Sequence, residues 1–237
     1  MREQSIDSRM PAERLRGVLE QLPPELAPPA ADSPAGRILA ATRDVLADKG
    51  PAGLSMRLVA AQAGVNQAMI HYYYGSKDRL IDAVVLREVV EVLRDLVGGL
   101  DGDLEPAELF VQYPARLLDV LRRDRVRLQL LRMIMGTEPQ RMLQAIRTLG
   151  RFGILGLSEQ LQGMLGAAQA EGRLAAAPPA SLLLFLLANA YGLVFMEPVA
   201  HEITGFSLAD DEAWAQHRQH LTNLIRGGIL VAPAGKE

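Results

Sequence analysis

Residues 55–74 hold two short segments with helical apolar spacing, separated by the tripeptide Gly64-Val65-Asn66. Two helices that short cross steeply only where the connecting turn enters the left-handed region, which glycine reaches without a Cβ clash. The spacing predicts a first helix from Ser55, a capping residue, through Val59 and Ala60 to Ala63, and a second from the capping Asn66 to Tyr74. Val65 plugs the crossing point. Ile70 and Tyr74, four residues apart, face the first helix and leave Gln67, His71, Tyr72 and Tyr73 outside. The pattern is a helix-turn-helix, and it fixes the geometry of its surroundings more tightly than any other stretch of the chain.

The flanking sequence continues in helices. Ser33-Pro34 reads as a cap followed by a first-turn proline, and Ile38, Ala41, Val45 and Leu46 then recur at helical spacing until Gly50. Gly75 ends the second short helix. Ser76 caps a long one that carries Leu80, Val84, Val89 and Leu93 and closes at Gly98-Gly99. Further helices are expected over 105–122, 124–135, 138–150, 153–172, 179–197 and 210–230, with breaks at Gly136, Gly150, Gly153, Gly172, Pro178-Pro179 and Gly205. The expected fold is all-α with about nine helices. It divides into a three-helix helix-turn-helix domain at 34–80 and a larger helical domain at 81–237. Residues 1–33 are expected to be a flexible extension. They hold a short helical pattern from Pro11 to Leu22 and then PPELAPPAADSP, whose prolines favour an extended, solvated linker. Arg14 and Arg16 suit a minor-groove arm, but Glu13 and Glu20 oppose it.

With 49% hydrophobic residues the chain has enough apolar surface for a core. It has no cysteine, which excludes disulfides, thiolate metal sites and a cysteine nucleophile. The N-terminus shows no signal-type apolar run. The most apolar stretch, Ser181 to Met196, is shorter than the roughly 20 residues of a membrane span and contains Asn189 and Tyr191, so a buried helix and a cytoplasmic protein are expected. The net charge of −3 is unevenly distributed. Residues 34–80 carry six Lys/Arg against three Asp/Glu, residues 1–33 four against six, and residues 81–237 fifteen against nineteen. A basic module on an acidic body is the electrostatic footprint of a nucleic-acid binder.

The run SMRLVAAQAGVNQAMIHYYYGSKDRL, Ser55 to Leu80, with Ile38, Ala41, Leu46 and Gly50 upstream, resembles the DNA-binding signature of the tetracycline-repressor (TetR) family over about residues 36–85. Beyond residue 85 only the layout is similar. The resemblance implies a transcriptional regulator that binds double-stranded DNA at a palindromic operator as a homodimer, a repressor released by a small-molecule effector. It also implies that Gln67, Ala68, Met69 and His71 face base edges or thymine methyls, while Ser55, Arg57, Tyr72, Tyr73 and Lys77 hold phosphates. Three positions depart from the family pattern: His71 stands for Tyr, Tyr74 for Phe and Gly75 for Pro. The cluster Tyr72 to Tyr74 also suits plain packing; that reading is preferred for Tyr74, and DNA contact for Tyr73.

In the larger domain, the helices that enclose the inducer in this family carry Phe110, Tyr113, Leu117, Met133, Met135, Met142, Phe152 and Leu155. They suit a largely apolar effector pocket, and each suits an ordinary core equally well. Residues 179–197 are apolar on nearly every face, which requires burial on all sides. Leu182, Leu186, Asn189 and Leu193 there, with the stripe Trp214, His217, Leu221, Leu224 and Ile225, are expected to pair with a second subunit. Arg122, Arg123, Arg125, Arg127 and Arg132 fit a salt-bridged face better than an anion site. His217, His220 and His201-Glu202 fit an exposed helix better than zinc. No catalytic motif is present, so no catalytic residue, cofactor, metal or membrane partner is expected. The rival readings are a helical protein-interaction adaptor and an enzyme without a recognisable motif.

Overall fold

Helix α2, Pro34–Gly53, begins where Ser33 accepts a hydrogen bond from the Gly36 amide at 3.0 Å, and its regular course breaks at Gly50, which takes φ +66°. Helix α3, Met56–Ala63, is capped by Ser55, whose hydroxyl accepts from the Leu58 amide at 3.2 Å. Gly64 then turns the chain at φ 64°, ψ 40°. Helix α4, Gln67–Tyr74, starts at Asn66, whose side chain accepts from the Ala68 amide at 2.9 Å. In a computed structural model, residues 11–23, 26–98, 106–175 and 177–229 are described, with the backbone course alone at 11–15, 106, 109, 154–158, 160, 161 and 229. Eleven helices and no strands occur among the described residues, against the expected nine or so. The remaining helices are α1 Pro11–Glu20, α5 Lys77–Gly98, α6 Pro106–Arg122, α7 Arg125–Thr137, α8 Pro139–Gly150, α9 Ile154–Ala170, α10 Pro179–Thr204 and α11 Asp211–Ile229.

Three apolar clusters hold these helices. The first joins α2, α3, α4 and the start of α5, and reaches Leu130 and Ile134 of α7 and Ala145 of α8. The second fills the body between α6, α7, α9, α10 and α11. The third lies where Leu19 and Leu22 meet Val90 and Val97 of α5 and Leu149 of α8. Residues 11–22 therefore depart from the flexible extension expected of 1–33. Arg16 also donates to the Val97 carbonyl at 3.3 Å. The helix was legible in the spacing, but its partner lies seventy residues away, beyond the reach of a local pattern.

Ion pairs stitch α2 and α5 to the body. Arg43 donates from Nε to Glu88 at 2.7 Å and also pairs with Asp124, while Arg127 meets Glu88 at 3.1 Å and Asp95 at 2.7 Å. Arg141 of α8 reaches Asp78 at 2.7 Å and Asp82 at 2.5 Å on α5, and pairs with Glu138.

Helix α10 extends to Thr204, past the predicted end at 197, with Pro198 inside it. Proline has no N–H to give the carbonyl four residues back. That carbonyl, of Val194, accepts instead from Nε of Arg132 at 2.6 Å, and Arg132 also pairs with Glu197 at 2.8 Å. With 26 residues, α10 is long and apolar enough to cross a membrane by length and composition alone. Burial on all sides does not hold within one chain. Leu182, Leu186, Ala190 and Val194, four apart, face the core, whereas Leu184, Phe185, Phe195, Met196, Val199 and Ile203 are exposed.

Candidate nucleic-acid interface and ligand cavity

The α3–turn–α4 unit presents a surface rather than a cleft. Ile70 is the buried residue of α4, and Gln67, Ala68, His71, Tyr72 and Tyr73 are exposed, Tyr72 at 83% and Tyr73 at 43%. The rings of Tyr72 and Tyr73 meet edge to face at 5.1 Å. Tyr74 turns inward and donates to the Ala35 carbonyl at 2.9 Å, and burial pushes its phenol up to about 12. Met69 also departs from the base-facing expectation, since it packs partly buried against the cluster of α2–α5. The helical turn that exposes Gln67 and His71 rotates position 69 toward α2.

His71 binds the end of its own helix. Its Nδ1 lies 2.9 Å from the Gly75 carbonyl. A carbonyl only accepts, so the hydrogen resides on Nδ1, and Nε2 is left as an acceptor in the neutral ring. Gly75 takes φ 72°, which proline cannot adopt, so the departure from the family's proline fits the backbone here.

Charge near this surface is one-sided. Arg57 and Lys77, with Arg79 beside them, form no salt bridge among the described residues, while Asp78 is held by Arg141. Ser76 caps α5 by accepting from the Arg79 amide at 3.2 Å, so Lys77 stands at the positive end of a 22-residue helix. Ser55 keeps its hydroxyl hydrogen free while its oxygen serves as a cap. The arrangement suits phosphate oxygens on either side of an inserted α4.

Behind this surface lies an apolar cavity of about 190 Å³. Val84, Val85, Val89, Val92, Leu93 and Leu96 of α5 make one wall, and Leu117, Leu130, Met142, Leu149 and their neighbours the rest. Its polar groups are Tyr113 of α6, Tyr191 of α10 and the paired Glu88 and Arg127. Burial raises the Tyr113 phenol well above its ordinary range, with Tyr191 adding to the shift, and burial raises Tyr191 likewise. Both stay protonated and remain O–H donors.

The model for bacterial regulatory proteins of the tetR family matches residues 38–84, the span of α2 to α5 just described. Over this helix-turn-helix the chain is similar to bacterial regulatory proteins of the tetR family. An HTH-type transcriptional repressor of Mycobacterium tuberculosis is 41% identical over 51 residues, 22% of this chain. The chain spans only about a quarter of the length of these first relatives, 27%. The HTH-type transcriptional regulator RutR of Escherichia coli is 25% identical over 194 residues, 81% of this chain and 88% of RutR. A TetR family transcriptional regulator from Pseudomonas syringae shares the fold at a TM-score of 0.56 and 20% identity, over 86% of this chain and all of that one.

The expected pocket residues separate. Tyr113, Leu117 and Met142 line the cavity. Phe110 is buried in the body core, Met133 packs with the helix-turn-helix cluster, Phe152 is exposed, and Met135 is not among the lining residues. The side chain of Leu155 lies outside the described residues. The α5 wall was missed because a valine and leucine stripe at helical spacing reads the same whether it faces a core or a cavity.

The expected interface residues separate too. Leu182, Leu186, Trp214, Leu221 and Ile225 are buried inside their own chain, and Trp214 donates from its indole to Asp119 at 2.6 Å. Leu193 packs partly buried on that core, and Asn189 donates to the Phe185 carbonyl at 3.0 Å. His217 lies against Phe206 and Trp214, with ring centres 5.0 and 5.9 Å away. Leu224 alone of this set is largely exposed, at 68%. Of the four positions expected on α10, Leu182 and Leu186 turn into their own chain's core, which spacing could not show because both faces of the helix are hydrocarbon.

Proposed function

We propose that this chain is a cytoplasmic, homodimeric transcriptional repressor that binds a palindromic operator and is released from it by a small, largely apolar effector. The observation that carries the reading is the course of α5. It begins at Lys77 beside the exposed α4 and continues as the wall of the cavity from Val84 to Leu96. A molecule that fills the cavity pushes on the element that positions the DNA surface. Gln67, Ala68 and His71 read base edges, whereas Ser55, Arg57, Tyr72, Tyr73 and Lys77 hold phosphates. Gln67 suits adenine, which accepts and donates together.

The exposed hydrocarbon of α10, with Leu224 of α11, supports a second copy as its cover. Two copies related by a two-fold axis carry two α4 helices to half-sites separated by one turn of DNA, roughly 34–36 Å, or a multiple of it. An effector that favours another separation lowers operator affinity through the difference in its binding to the two states.

A mobility-shift assay on DNA upstream of its own coding region tests the reading. A repressor gives sequence-specific retardation that weakens steeply with salt. A helical adaptor or an enzyme gives none, and that result would overturn the proposal.

A further inference from the structure

The cavity is hydrocarbon apart from two pairs of polar groups, and the pairs differ. Glu88 and Arg127 are spent on each other and on Arg43 and Asp95. An anionic ligand would have to displace Glu88 from Arg127, and a cationic one would have to displace Arg127 from Glu88. Tyr113 and Tyr191, in contrast, form no hydrogen bond among the described residues. They stand on the packed helices α6 and α10, line the same cavity and pack against the same apolar cluster. Both side chains are partly buried and line the cavity, so hydroxyls without a protein acceptor are open to an acceptor on a bound molecule. One carbonyl oxygen has two lone pairs and accepts from two hydroxyls at once.

From this geometry we infer that the cavity takes a neutral, mostly hydrocarbon molecule whose single carbonyl oxygen is held jointly by Tyr113 and Tyr191. The inference rests on the reading of this cavity as the effector site. Size narrows the class further. A dry apolar cavity of about 150 Å³ takes up benzene, so the 190 Å³ here suits one ring with a short substituent. The class is therefore the small aryl or alkyl ketone or ester, as opposed to a carboxylate or an amine.

Calorimetric titration of the full chain with acetophenone, α-methylstyrene and benzoate tests this, because the three are matched in size and differ at one group. Acetophenone should bind tightest. α-Methylstyrene, in which a methylene replaces the oxygen, should bind roughly tenfold more weakly, and benzoate should give no heat at the same concentrations. In the Tyr113→Phe/Tyr191→Phe double variant the ketone should lose its advantage, while the alkene binds no worse. Each single variant should lose about half of that advantage on a logarithmic scale, so the assignment stays testable if the double variant fails to fold. Tightest binding by benzoate, a ketone advantage that survives both substitutions, or no binding by any of the three overturns the inference. The same preparations are run against upstream DNA. Intact retardation with the wrong ranking overturns the phenol pair alone. The right ranking without retardation overturns the repressor reading and leaves the ligand class standing.

Discussion

Helices α4 and α10 both expose large apolar side chains, but they expose different chemistry. On α4 the exposed rings are tyrosines, each with a hydroxyl at its tip, on the same helix as Gln67 and His71, and Arg57 and Lys77 of the flanking helices form no salt bridge among the described residues. On α10 the exposed large apolar groups are leucine, phenylalanine, methionine, valine and isoleucine, without polar tips, and the exposed polar residues Ser181, His201, Glu202 and Thr204 lie toward its ends. A surface with polar ends can stay wet and wait for a hydrated, charged partner. A hydrocarbon stripe of that length gains free energy only when another hydrocarbon surface covers it. On the proposed reading the difference gives α4 to DNA and α10 to a second copy, and each assignment can be broken separately.

The largest effect is expected on α10. Leu184 is 67% and Ile203 76% exposed, so Leu184→Glu with Ile203→Glu should leave the monomer folded while placing carboxylates in the interface. Light scattering should report monomers, and operator affinity should fall by at least about a hundredfold, since one half-site then acts alone. Leu224→Glu should act in the same direction, more weakly. A dimer that survives the double substitution would show that these copies meet elsewhere.

On α4 the effects are smaller and differ in kind. Gln67→Ala should weaken the cognate operator by roughly 1–3 kcal/mol and leave random DNA almost unaffected. Equal weakening of all DNA would make Gln67 a phosphate contact. Lys77→Ala should weaken both DNAs alike and flatten the slope of log K against log salt by about one. An unchanged slope would make Lys77 a helix-terminal residue without a phosphate.

The smallest effect concerns the body beneath α10. Burial, with His220 nearby, holds the His217 imidazole below its ordinary range. The unfolded chain therefore takes up this proton at a higher pH than the folded one. Above the ordinary histidine range both states are neutral and nothing is lost; as pH falls through it, stability declines. Thermal melts from pH 7.5 to 5.5 should show the decline, and His217→Phe should reduce it. An equal decline in the variant would assign it to another group.

What was legible in the sequence follows from range. Ser33, Ser55, Asn66 and Gly64 act on backbone within three residues, so α2, α3 and α4 could be placed closely from the chain itself. The direction of an apolar face is set by partners far away. Nothing within α5 distinguishes Val97, buried in the cluster with Leu19, from Val92, which lines the cavity. Nothing within α10 shows that Leu186 turns inward and Leu184 outward. Met69, Phe110 and Trp214 were misplaced for the same reason, since residue type states that a side chain wants cover and leaves open which cover it finds.

Glu88 stands in the cavity wall and in the same position anchors Arg43 of the helix-turn-helix domain. That double duty divides the wall for anyone retuning the protein as a biosensor. On the proposed reading, Tyr113, Leu117 and Met142 can be exchanged to admit a different effector with no ion pair to α2 lost. An exchange at Glu88 frees Arg43 of α2, and one at Arg127 removes a partner of Glu88. Sensors built by that route would gain a new specificity together with a leaky promoter, and the background signal before any inducer is added would report it.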